Sequence, residues 1–497
     1  MHEIDSGSQA HAAVTSPARE RYTRARSAHW DDVARQTDRS RGWGTHYHHR
    51  LEEIYSTLVA PGQRVLELGS ARGDLLAAVK PAYGLGIDLS NEMVARAKKD
   101  HPGLEFRQGD VHDLADLREP FDVIIVSDLV NDLWDVQTVF QEVRRLSDPR
   151  TRIVLNFYSR LWELPLGAAS ALKLARPTLH QNWLTLEDTA NLLFLADLEV
   201  VRCWEEVLWP LRTPLISGFA NRYLAKLWPL KHLALSNFVL ARPQPQGRRV
   251  AVGAAPVSQP TVTVVVPARN EAGNIANAFA RTPKMGGGTE LIFVEGNSSD
   301  DTYATIEREI AAHPEWDSRV FKQTGKGKGD AVRLGYAHAK GDILMILDAD
   351  LTMPPEDLPR FYEALASGKA EFANGVRLVY PLEEQAMRFF NLIGNKFFSL
   401  AFSWLLGQPI KDTLCGTKVM WRSDYERVAA NRAYFGDFDP FGDFDLLFGA
   451  AKLGLKVVDV PIRYRERTYG ETNIHRWSHG LLLLRMVVFA ARRIKFV

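Results

Sequence analysis

The chain has 497 residues, more than the roughly 250–300 at which a single hydrophobic core stops growing, so the sequence predicts more than one domain. Its apolar fraction of 46% and charged fraction of 24% are ordinary for a globular protein. A formal net charge of +1 excludes a global attraction to nucleic acid, and we predict no nucleic-acid partner. The two cysteines, Cys203 and Cys415, are too few for a disulfide framework and fit a reducing cytoplasm.

The chain divides into a polar beginning, two regions of α/β character and an apolar end. Residues 1–41 lack the apolar core of a signal peptide, and their polar composition predicts a mobile segment. We expect a linker at residues 243–260, because PQPQGRRVAVGAAPVSQP is rich in proline, glycine and alanine and has no periodicity. Over residues 42–242 and 261–475, short β-rich runs alternate with helical patterns, which predicts parallel sheets covered by helices.

Short apolar runs bounded by turn residues predict the strands of both regions. The strands expected in the first region are Arg64–Leu68, Gly84–Asp88, Phe121–Ser127, Arg152–Phe157, and a closing pair at Glu199–Trp204 and Asn237–Ala241. Those expected in the second region are Val262–Pro267, Glu290–Glu295, Ile343–Asp348 and Val457–Val460.

A glycine-bracketed turn follows the first strand, in VLELGSARGDLLAAV. Gly69 and Gly73 would let the backbone approach a ligand closely, and the helix that follows presents free N–H groups to it. Acidic residues stand at Glu67, at Asp88 where the next strand ends, and at Asp110 after another turn. A carboxylate at position 88 can accept hydrogen bonds from both ribose hydroxyls, and one at position 110 could reach an adenine amino group. The glycine spacing alone fits a plain strand–helix turn equally well, so the prediction depends on the acidic positions.

These motifs resemble the class I S-adenosylmethionine-dependent methyltransferases, over roughly residues 42–243. The resemblance implies a Rossmann-like domain that binds S-adenosylmethionine, with ribose at Asp88, adenine at Asp110 and the methionine portion along the turn. The family commonly has a further glycine where this chain has Ser70-Ala71-Arg72, and we expect Arg72 to point to solvent. The cofactor-binding residues expected from the resemblance are Glu67, Gly69, Ser70, Gly73, Asp88, Asp110 and Asp128.

Polar residues also follow the strand that ends at Ser127. Asp128, Asn131 and Asp132 are candidates for a general base, which would help if the methyl acceptor is a hydroxyl. Alternatively, they form a helix N-cap run. Three histidines lie ahead of the first strand on a predicted helix, and their spacing does not predict a metal site. They are His46, His48 and His49.

The second region carries an acidic pair after a fully apolar strand, in DILMILDADLTMPPEDL. Asp348 and Asp350 are costly there without a counter-charge, and their oxygen ligands suit Mg²⁺ or Mn²⁺. Such a cation can neutralise charge on a leaving nucleoside diphosphate, whereas the alternative is a solvated loop after an edge strand. The glycine- and lysine-rich GKGKGDAVRL, which includes Lys328, suits a diphosphate but lacks the P-loop spacing.

Together with VVVPARNE and RYRERTYGETN, the acidic pair resembles the family-2 glycosyltransferases with the GT-A fold, over about residues 262–497. Within that family, the polyprenyl-phosphate sugar transferases are the most similar subgroup. The resemblance implies inverting transfer from a nucleotide sugar, with metal and diphosphate at Asp348 and Asp350. Arg467 and the Gly470–Asn473 turn would close over the phosphates, and Glu295-Gly296 departs from the two aspartates that many members have. The nucleotide-sugar-binding residues expected are Pro267, Arg269, Glu271 and Glu295 around base and ribose, with Lys328, Asp348 and Arg467.

The acceptor side is expected in DTLCGTKVMWRSDYERV and in YFGDFDPFGDFDLLFGAAKLG. Asp412 would orient Thr413 or an acceptor, and Cys415 is expected to be a small buried residue. The later segment presents Asp437, Asp439, Asp443 and Asp445. The resemblance implies that a carboxylate near here deprotonates an acceptor hydroxyl, which makes Asp443 a catalytic candidate beside Asp350. A phosphate acceptor is already an anion and would need no such base.

Two apolar segments near the end of the chain predict amphipathic helices in peripheral membrane contact. They are EEQAMRFFNLIGNKFFSLAFSWLLG and residues 476–497, and each mixes large apolar residues with polar ones. The alternative for each is a core helix. No uninterrupted run reaches about 18 apolar residues, and Arg485 splits the last one, so a spanning helix is not predicted.

The sequence therefore predicts a bifunctional enzyme in the cytoplasm or at the inner face of the membrane. One domain would transfer a sugar from a nucleotide sugar to a lipid-phosphate or glycan acceptor, and the other would methylate a related substrate. One alternative retains the active glycosyltransferase and makes the N-terminal domain a non-catalytic S-adenosylmethionine-binding or scaffolding module. Another makes the whole chain a non-catalytic structural or regulatory protein, against which the presence of both Asp348 and Asp350 argues.

Overall fold

The computed structural model describes the backbone of residues 17–36, 44–171, 179, 181–245, 259–377, 389–430, 443–462, 464 and 476–496. Side chains are described throughout these ranges except at residues 44–45, 389–393, 395, 443 and 476–482. Within the described residues, the strands form two seven-stranded sheets, one in each α/β region. The predicted α/β class with two Rossmann-like domains is confirmed.

The first sheet places its parallel strands in a doubly wound order. Its strands are β1 Arg64–Leu68, β2 Tyr83–Asp88, β3 Glu105–Gln108, β4 Val123–Ser127, β5 Arg152–Tyr158, β6 Leu198–Glu206 and β7 Ser236–Pro243. They lie in the order β3-β2-β1-β4-β5-β7-β6, and β7 runs antiparallel to both of its neighbours. β1, β2, β4 and β5 are buried along nearly their whole length, because helices cover both faces of the sheet.

Local hydrogen bonds set where the helices of the first region begin. They are α1 Pro17–Gln36, α2 Gly44–Leu58, α3 Asp74–Ala78, α4 Asn91–Asp100, α5 Val136–Arg145, α6 Glu163–Ala171, α7 Leu186–Leu195 and α8 Ile216–Arg222. Ser90 caps α4 by accepting the Met93 backbone N–H, and Asp135 caps α5 in the same way. A reciprocal pair of hydrogen bonds between Thr185 and Asp188 starts α7.

The second sheet repeats the doubly wound order of the first at its beginning. Its strands are β8 Val262–Ala268, β9 Thr289–Glu295, β10 Asp317–Lys322, β11 Ile343–Ile346, β12 Phe372–Val376, β13 Lys418–Trp421 and β14 Val457–Pro461. They lie in the order β10-β9-β8-β11-β13-β12-β14, and β13 is antiparallel to both neighbours. The helices are α9 Ile275–Arg281, α10 Thr302–Ala312, α11 Lys328–Ala337, α12 Leu358–Ala366, α13 Phe389–Leu406, α14 Arg422–Ala430, α15 Asp443–Lys452 and α16 Arg476–Ala490.

Each of the ten predicted strands coincides with an observed strand, with ends that differ by no more than two residues. The sequence patterns did not predict β3, β10 or β12, whereas β13 lies in DTLCGTKVMWRSDYERV, which the resemblance implies to be a strand, a turn and a helix. β3 and β10 lie at sheet edges and are largely exposed or half-buried, so they lack a continuous apolar run. β12 reads FANGV and lacks the β-rich composition on which the prediction depends.

The expectation of a mobile segment over residues 1–41 was wrong for residues 17–36, which form α1. The helix is polar but makes specific contacts with the first domain. Asp31 accepts hydrogen bonds from the Ser90 hydroxyl (2.5 Å) and the Glu92 backbone N–H (3.2 Å). Trp30 donates to the Asp132 carboxylate at 2.9 Å. These partners lie far away in sequence, so composition alone could not indicate them.

The two apolar segments near the end of the chain form helices, but their predicted amphipathic division is not confirmed. On α13, Phe402 and Leu405 are buried in the core of the second domain while Phe397 and Leu400 are exposed. On α16, Met486 is buried and apolar residues are also exposed. Core packing therefore accounts for one side of each helix. Among the described helices, none combines the length and the apolar character needed to cross a membrane.

A buried ion triad joins the two domains. The Glu371 carboxylate, beside β12, pairs with Arg152 of β5 at 2.7 Å and with Arg242 of β7 at 3.2 Å. Arg152 also donates to the Gly454 carbonyl (2.8 Å), and the Lys456 backbone N–H donates to Glu371 (2.8 Å). Burial alone would raise the pKa of Glu371, but the two guanidinium groups outweigh it and lower that pKa. The carboxylate is therefore ionised and held from both sides.

Candidate active sites

The carboxyl ends of the first four strands of sheet one form a crevice between β1 and β4. From β1 the strands are added outward through β2 to β3 on one side, and from β4 to β5 on the other. The crevice between β1 and β4 is therefore the topological switch point, where doubly wound sheets bind ligands. Gly69 follows β1, Asp88 ends β2 and Asp128 follows β4. The structure thus brings together residues that are up to 59 positions apart in the chain.

The turn after β1 needs its glycines. Gly69 and Gly73 have φ values of +72° and +77°, a backbone conformation that residues with a Cβ atom rarely adopt. A Cβ on Gly73 would lie 2.4 Å from the Phe106 ring. Arg72 does not point to solvent as expected, because its guanidinium pairs with Asp100 at 3.1 Å and its side chain is only 17% exposed.

Asp88 is buried and fixed by the turn it faces. Its carboxylate accepts the backbone N–H of Ala71 at 2.8 Å and that of Ser90 at 2.9 Å. Burial raises the pKa of Asp88, and these two N–H groups partly offset that rise. The side chain is therefore a preorganised acceptor whose charge would be stabilised by a further hydrogen-bond donor.

Glu67 and Ser70 leave polar atoms without partners among the described residues. Glu67 Oε2 and Ser70 Oγ are both buried and make no hydrogen bond there. Burial raises the pKa of Glu67 well above its ordinary value, and the charges of Asp88 and Asp74 add to that rise. Buried polar atoms are normally paired, so these two atoms indicate a polar or cationic ligand in the crevice.

Asp110 lies at the outer end of the crevice, under α1. Its carboxylate pairs with His112 Nδ1 at 2.6 Å and with the Arg19 guanidinium at 3.2 Å. Burial opposes ionisation, but the hydrogen bonds from His112 outweigh it and lower the pKa of Asp110 to about 2. A cavity runs between this carboxylate and α1, lined also by Leu89 and Gln108.

Asp128 is the half-buried carboxylate on the other side of the crevice. It accepts hydrogen bonds from the Tyr47 hydroxyl (2.9 Å) and the Asn156 amide (2.6 Å), and Tyr47 also contacts the Ser236 hydroxyl (2.8 Å). Burial raises the pKa of Asp128 to about 7, although both hydrogen bonds favour the charged form. Sequence reasoning missed Tyr47, Asn156 and Ser236.

The neighbours of Asp128 have structural roles. Asn131 is buried and holds the backbone of Asn182 and of Tyr158, at 2.7 and 3.0 Å. Asp132 pairs with Arg26 of α1. The N-cap of α5 is Asp135, so the cap alternative does not apply to positions 128, 131 and 132 themselves. Within the described residues, no cluster of three or more metal-binding side chains occurs.

The second sheet has its switch point between β8 and β11. Pro267 lies near the end of β8 and is half-buried, Glu295 ends β9, and Asp348 follows β11. The predicted residues therefore share one edge of the sheet. Arg269, one residue past β8, is exposed.

Asp348 is paired with a lysine from the glycine-rich loop. Lys328 Nζ, at the first residue of α11, lies 2.6 Å from the Asp348 carboxylate, which is 31% exposed. Gly416 allows this pair, since a Cβ there would lie 2.0 Å from Asp348 Oδ2 and 2.3 Å from Lys328 Nζ. Asp350 accepts the Thr352 backbone N–H at 3.1 Å and its hydroxyl at 2.8 Å. One positive charge therefore already faces the acidic pair.

Buried polar side chains fix the glycine- and lysine-rich loop and the segments predicted to bind the nucleoside. Glu271 accepts the Asn274 amide at 2.7 Å, and Glu295 accepts the Ser298 backbone N–H at 2.5 Å. Gln323, which sequence reasoning missed, donates to the Gly327 carbonyl at 2.7 Å. The loop is therefore shaped before α11 begins at Lys328.

A second buried ion pair lies in the segment that the sequence predicts to face the acceptor. Arg377 grips Asp412 through two hydrogen bonds of 2.7 and 2.9 Å, and its guanidinium lies 5.1 Å from the Tyr464 ring centroid. Burial opposes ionisation of Asp412, but Arg377 outweighs it and lowers the pKa. Asp412 therefore orients Arg377, and Cys415 is buried with a raised thiol pKa, as expected of a small core residue.

Part of the predicted acceptor and phosphate machinery lies outside the described residues. This applies to Arg467, to the Gly470–Asn473 turn, and to Asp437 and Asp439. Asp443 is the first residue of α15, but its side chain is not among those described. Asp445, two residues later, is buried.

Comparisons with known proteins match both regions. Residues 60–200 match the family model of a methyltransferase domain, and residues 263–428 match that of glycosyl transferase family 2. Both matches lie inside the predicted domains, 42–242 and 261–475.

Relatives with similar sequences are named as sugar transferases. A dolichol-phosphate mannosyltransferase of Pyrococcus furiosus is 29% identical over 220 residues, which cover 43% of this chain and 59% of that protein. An undecaprenyl-phosphate 4-deoxy-4-formamido-L-arabinose transferase of Edwardsiella ictaluri is 27% identical, over 45% of this chain and 64% of that protein. The chain thus spans about three fifths of the length of these relatives. A solved structure of glucosyl-3-phosphoglycerate synthase from Mycobacterium tuberculosis aligns at 21% identity and a TM-score of 0.36, over 47% of this chain and 80% of that one.

Proposed function

We propose that this chain, which contains a methyltransferase domain and a family-2 glycosyltransferase domain, carries out both reactions. The first domain would methylate an acceptor with S-adenosylmethionine. The second would transfer a sugar, with inversion, from a nucleotide sugar to a polyprenyl phosphate or a glycan. The observation that carries the proposal is that each switch point gathers its own set of strand-end carboxylates, at Asp88 and Asp128 in one sheet and at Asp348 and Asp350 in the other.

The first crevice fits S-adenosylmethionine. The unpartnered Glu67 Oε2 and Ser70 Oγ suit its cationic and polar methionine end, and Asp88 is preorganised to accept the ribose hydroxyls. Asp110 would bind the adenine amino group. When bound, the cofactor supplies an already activated methyl group, so the protein contributes mainly position. Asp128, with a pKa of about 7, would accept the proton of a hydroxyl acceptor.

The second crevice fits a divalent cation with a diphosphate. Asp348 and Asp350 are oxygen ligands of the kind that Mg²⁺ and Mn²⁺ prefer, and Lys328 stands within 2.6 Å of Asp348. The cation would neutralise charge on the departing nucleoside diphosphate. Lys328, released from Asp348 by the ion, would then face the diphosphate. Glu271 and Glu295 would bind the nucleoside, and Arg467 would close over the phosphates.

A polyprenyl phosphate is the acceptor that the relatives support, because both named relatives act on phosphates of polyprenols by their names. With that acceptor no general base is needed, and Asp443 would serve only if the acceptor is a sugar hydroxyl. We place the protein in the cytoplasm at the inner face of the membrane. The methyl acceptor would be related to the glycosyl product. Linking the two domains on one chain would then raise the local concentration of the intermediate that they share.

The glycosyltransferase proposal is tested by a screen of UDP-, GDP- and TDP-sugars with Mg²⁺ or Mn²⁺, with and without polyprenyl phosphate. We expect one nucleotide sugar to be consumed, with metal dependence, and Asp350→Ala to abolish that activity. Asp317→Ala is the matched control, because Asp317 is an exposed aspartate at the start of β10. Unchanged turnover in Asp350→Ala would refute the metal assignment.

The methyltransferase proposal is tested by isothermal titration with S-adenosylmethionine, followed by methyl transfer to the glycosylated product. We expect binding in the full chain and its loss in Asp88→Ala. Binding without any methyl transfer would favour the alternative in which this domain only binds or scaffolds. Absence of binding would reject the cofactor assignment.

A further inference from the structure

The connection between β6 and β7 in the methyltransferase domain has an unusual charge pattern. No aspartate or glutamate occurs from Val207 to Leu235. The same stretch contains the exposed Arg212 and Arg222, whereas Lys226, Lys231 and His232 pair with Glu206 and Glu205 at the end of β6. The chain as a whole has almost equal numbers of acidic and basic residues, 60 and 61, but within this connection no acidic residue offsets the charge of the two exposed arginines.

The same connection exposes large apolar side chains. Leu215 is 91% exposed, Trp228 79% and Phe219 57%. Burial in the domain core explains none of them, and contiguous exposed apolar patches mark interaction sites. The other members of this set are Trp209, Ile216, Tyr223, Leu227 and Leu233. We call residues 209–233 the basic apolar surface.

The basic apolar surface is held in place by its own hydrogen bonds. The Asn221 side chain accepts the Trp209 backbone N–H at 2.7 Å and donates to the Trp209 carbonyl at 2.8 Å. Ser217 donates to the Thr213 carbonyl at 2.8 Å, and Lys226 is buried in an ion pair with Glu206. The exposed apolar groups are therefore carried on a fixed scaffold.

The surface lies beside the first candidate site and continues into the second domain. β6 runs parallel to β5, since β7 is antiparallel to both, so Glu206 is at the same sheet edge as Asp128. Towards the second domain, the Trp404 indole of α13 donates to the Lys226 carbonyl at 3.2 Å. The Arg222 guanidinium donates to the Phe496 carbonyl at 2.8 Å. Exposed Phe397 and Leu400 of α13 extend the apolar character.

We propose that the basic apolar surface of the methyltransferase domain docks on a lipid bilayer that contains anionic headgroups. Tryptophan, tyrosine and leucine side chains enter the boundary between headgroups and acyl chains, while arginine and lysine contact the anionic lipids. Each basic residue near such a surface strengthens binding about fivefold. The absence of acidic residues in the connection matches this partner and would not be needed for self-association through apolar contact.

This docking has a consequence for the methyl acceptor, which rests on the proposed function. The site around Asp128 adjoins the docked surface through Tyr47 and Ser236, the first residue of β7. An acceptor carried by a membrane lipid would therefore reach the site without leaving the bilayer. The class of substrate indicated is an amphiphile with its polar part at the headgroup level.

The test uses the full chain, labelled at one position with a fluorophore sensitive to polarity. Cys203→Ser removes the exposed thiol, and Cys415 is buried. A cysteine is then placed by Leu215→Cys or, as the control, by Phe194→Cys. Phe194 is a 65% exposed aromatic residue on α7. It lies near the start of β6, whereas Glu206 ends that strand, about 30 Å away. Vesicles contain either phosphatidylcholine alone or equal parts of phosphatidylcholine and phosphatidylglycerol.

We expect a blue shift of the label at position 215 with the anionic vesicles, a much smaller shift with neutral vesicles, and none at position 194. Leu215→Gln with Phe219→Gln should weaken vesicle binding at least about tenfold, whereas Phe194→Gln with Leu195→Gln should not. A shift that is equal at both positions, or absent at both while the protein sediments with the vesicles, would overturn the proposal. So would a dimer in light scattering that Phe219→Gln dissociates, because a second copy would then cover the surface. Nucleotide-sugar turnover and S-adenosylmethionine binding, measured without vesicles, test the proposed function separately.

Discussion

The two domains arrange their first four strands in the same order, third-second-first-fourth, and place their carboxylates at the same edge of the sheet. They differ in how those carboxylates are surrounded. In the first domain, Glu67 and Asp88 are buried and Asp128 is half-buried, and desolvation raises the pKa of each. In the second, Asp348 is 31% exposed and is neutralised by Lys328. A common topology therefore supports sites of opposite electrostatic character.

The difference corresponds to two classes of ligand. Buried carboxylates whose charge is poorly stabilised favour an organic ligand that brings a cationic group and hydrogen-bond donors without water. Partly exposed carboxylates beside a lysine favour a hydrated metal ion and an anionic diphosphate, because Mg²⁺ keeps several waters and binds through few protein ligands. Sheet topology locates the crevice, and the burial of its acids indicates what enters it.

Chelation should separate the two sites most strongly. With EDTA, we expect sugar transfer to fall by about 10³-fold or more, because metal neutralisation contributes several kcal/mol to the barrier. Methyl transfer to an added, already glycosylated acceptor should be unchanged in the same sample, since the first crevice has no need of a metal. Parallel radiolabel assays with both donors measure this, with Mg²⁺ readdition as the control. Equal loss of both activities would contradict the comparison.

Asp128→Asn should alter the pH dependence of stability in the first domain. Because the folded-state pKa is raised from 3.8 to about 7, the stabilising contribution of protonated Asp128 is present below about pH 4 and is lost as pH rises through 7. For wild type, the full shift corresponds to a loss of about 4 kcal/mol in unfolding free energy, of which about 3 kcal/mol falls between pH 5 and pH 8, and the variant should lack this loss. Urea unfolding at pH 5 and pH 8 measures the difference. Asp113→Asn, at an exposed position, is the control.

Lys328→Met should weaken the second site by a moderate amount. Loss of a hydrogen bond to a charged group predicts about a 10–100-fold fall in kcat/KM for the nucleotide sugar. S-adenosylmethionine binding should not change. Lys340→Met, an exposed lysine on the same domain, serves as the matched control. If both lysine variants behaved alike, Lys328 would have no role at the diphosphate.

Arg19→Gln should give the smallest effect. Arg19 occupies one oxygen of Asp110, and a partly exposed ion pair of this kind contributes roughly 0.2–1 kcal/mol. Its removal frees the carboxylate for a ligand, so affinity for S-adenosylmethionine should rise by up to about fivefold. Titration calorimetry measures this, with Arg24→Gln, an exposed arginine of α1, for comparison. A loss of affinity would mean that α1 itself is needed to cover the cofactor.

The sequence predicted the positions that follow buried strands and missed those brought in from elsewhere. Asp88 and Asp348 could be found because apolar runs mark strands, and parallel strands end at one edge. Tyr47 is 81 residues from Asp128 and 189 from Ser236, and no local pattern records such a distance. The prediction of a mobile segment at α1 was wrong for the same reason. The helix contacts Ser90 and Asp132, which lie far away in sequence, and it has no apolar face that a local pattern could reveal.

The ion triad of Arg152, Glu371 and Arg242 makes the relative position of the two enzymes a property of the fold. Cleavage of the connecting peptide would leave the two domains associated. Expression of either domain alone would expose the interface and leave its charged residues of the triad without their partners. The distance between the two candidate sites is therefore fixed by the fold. Under the proposed function, any intermediate passed between them would cover the same path on every turnover, and lengthening the connecting peptide would leave the rate of that transfer unaltered.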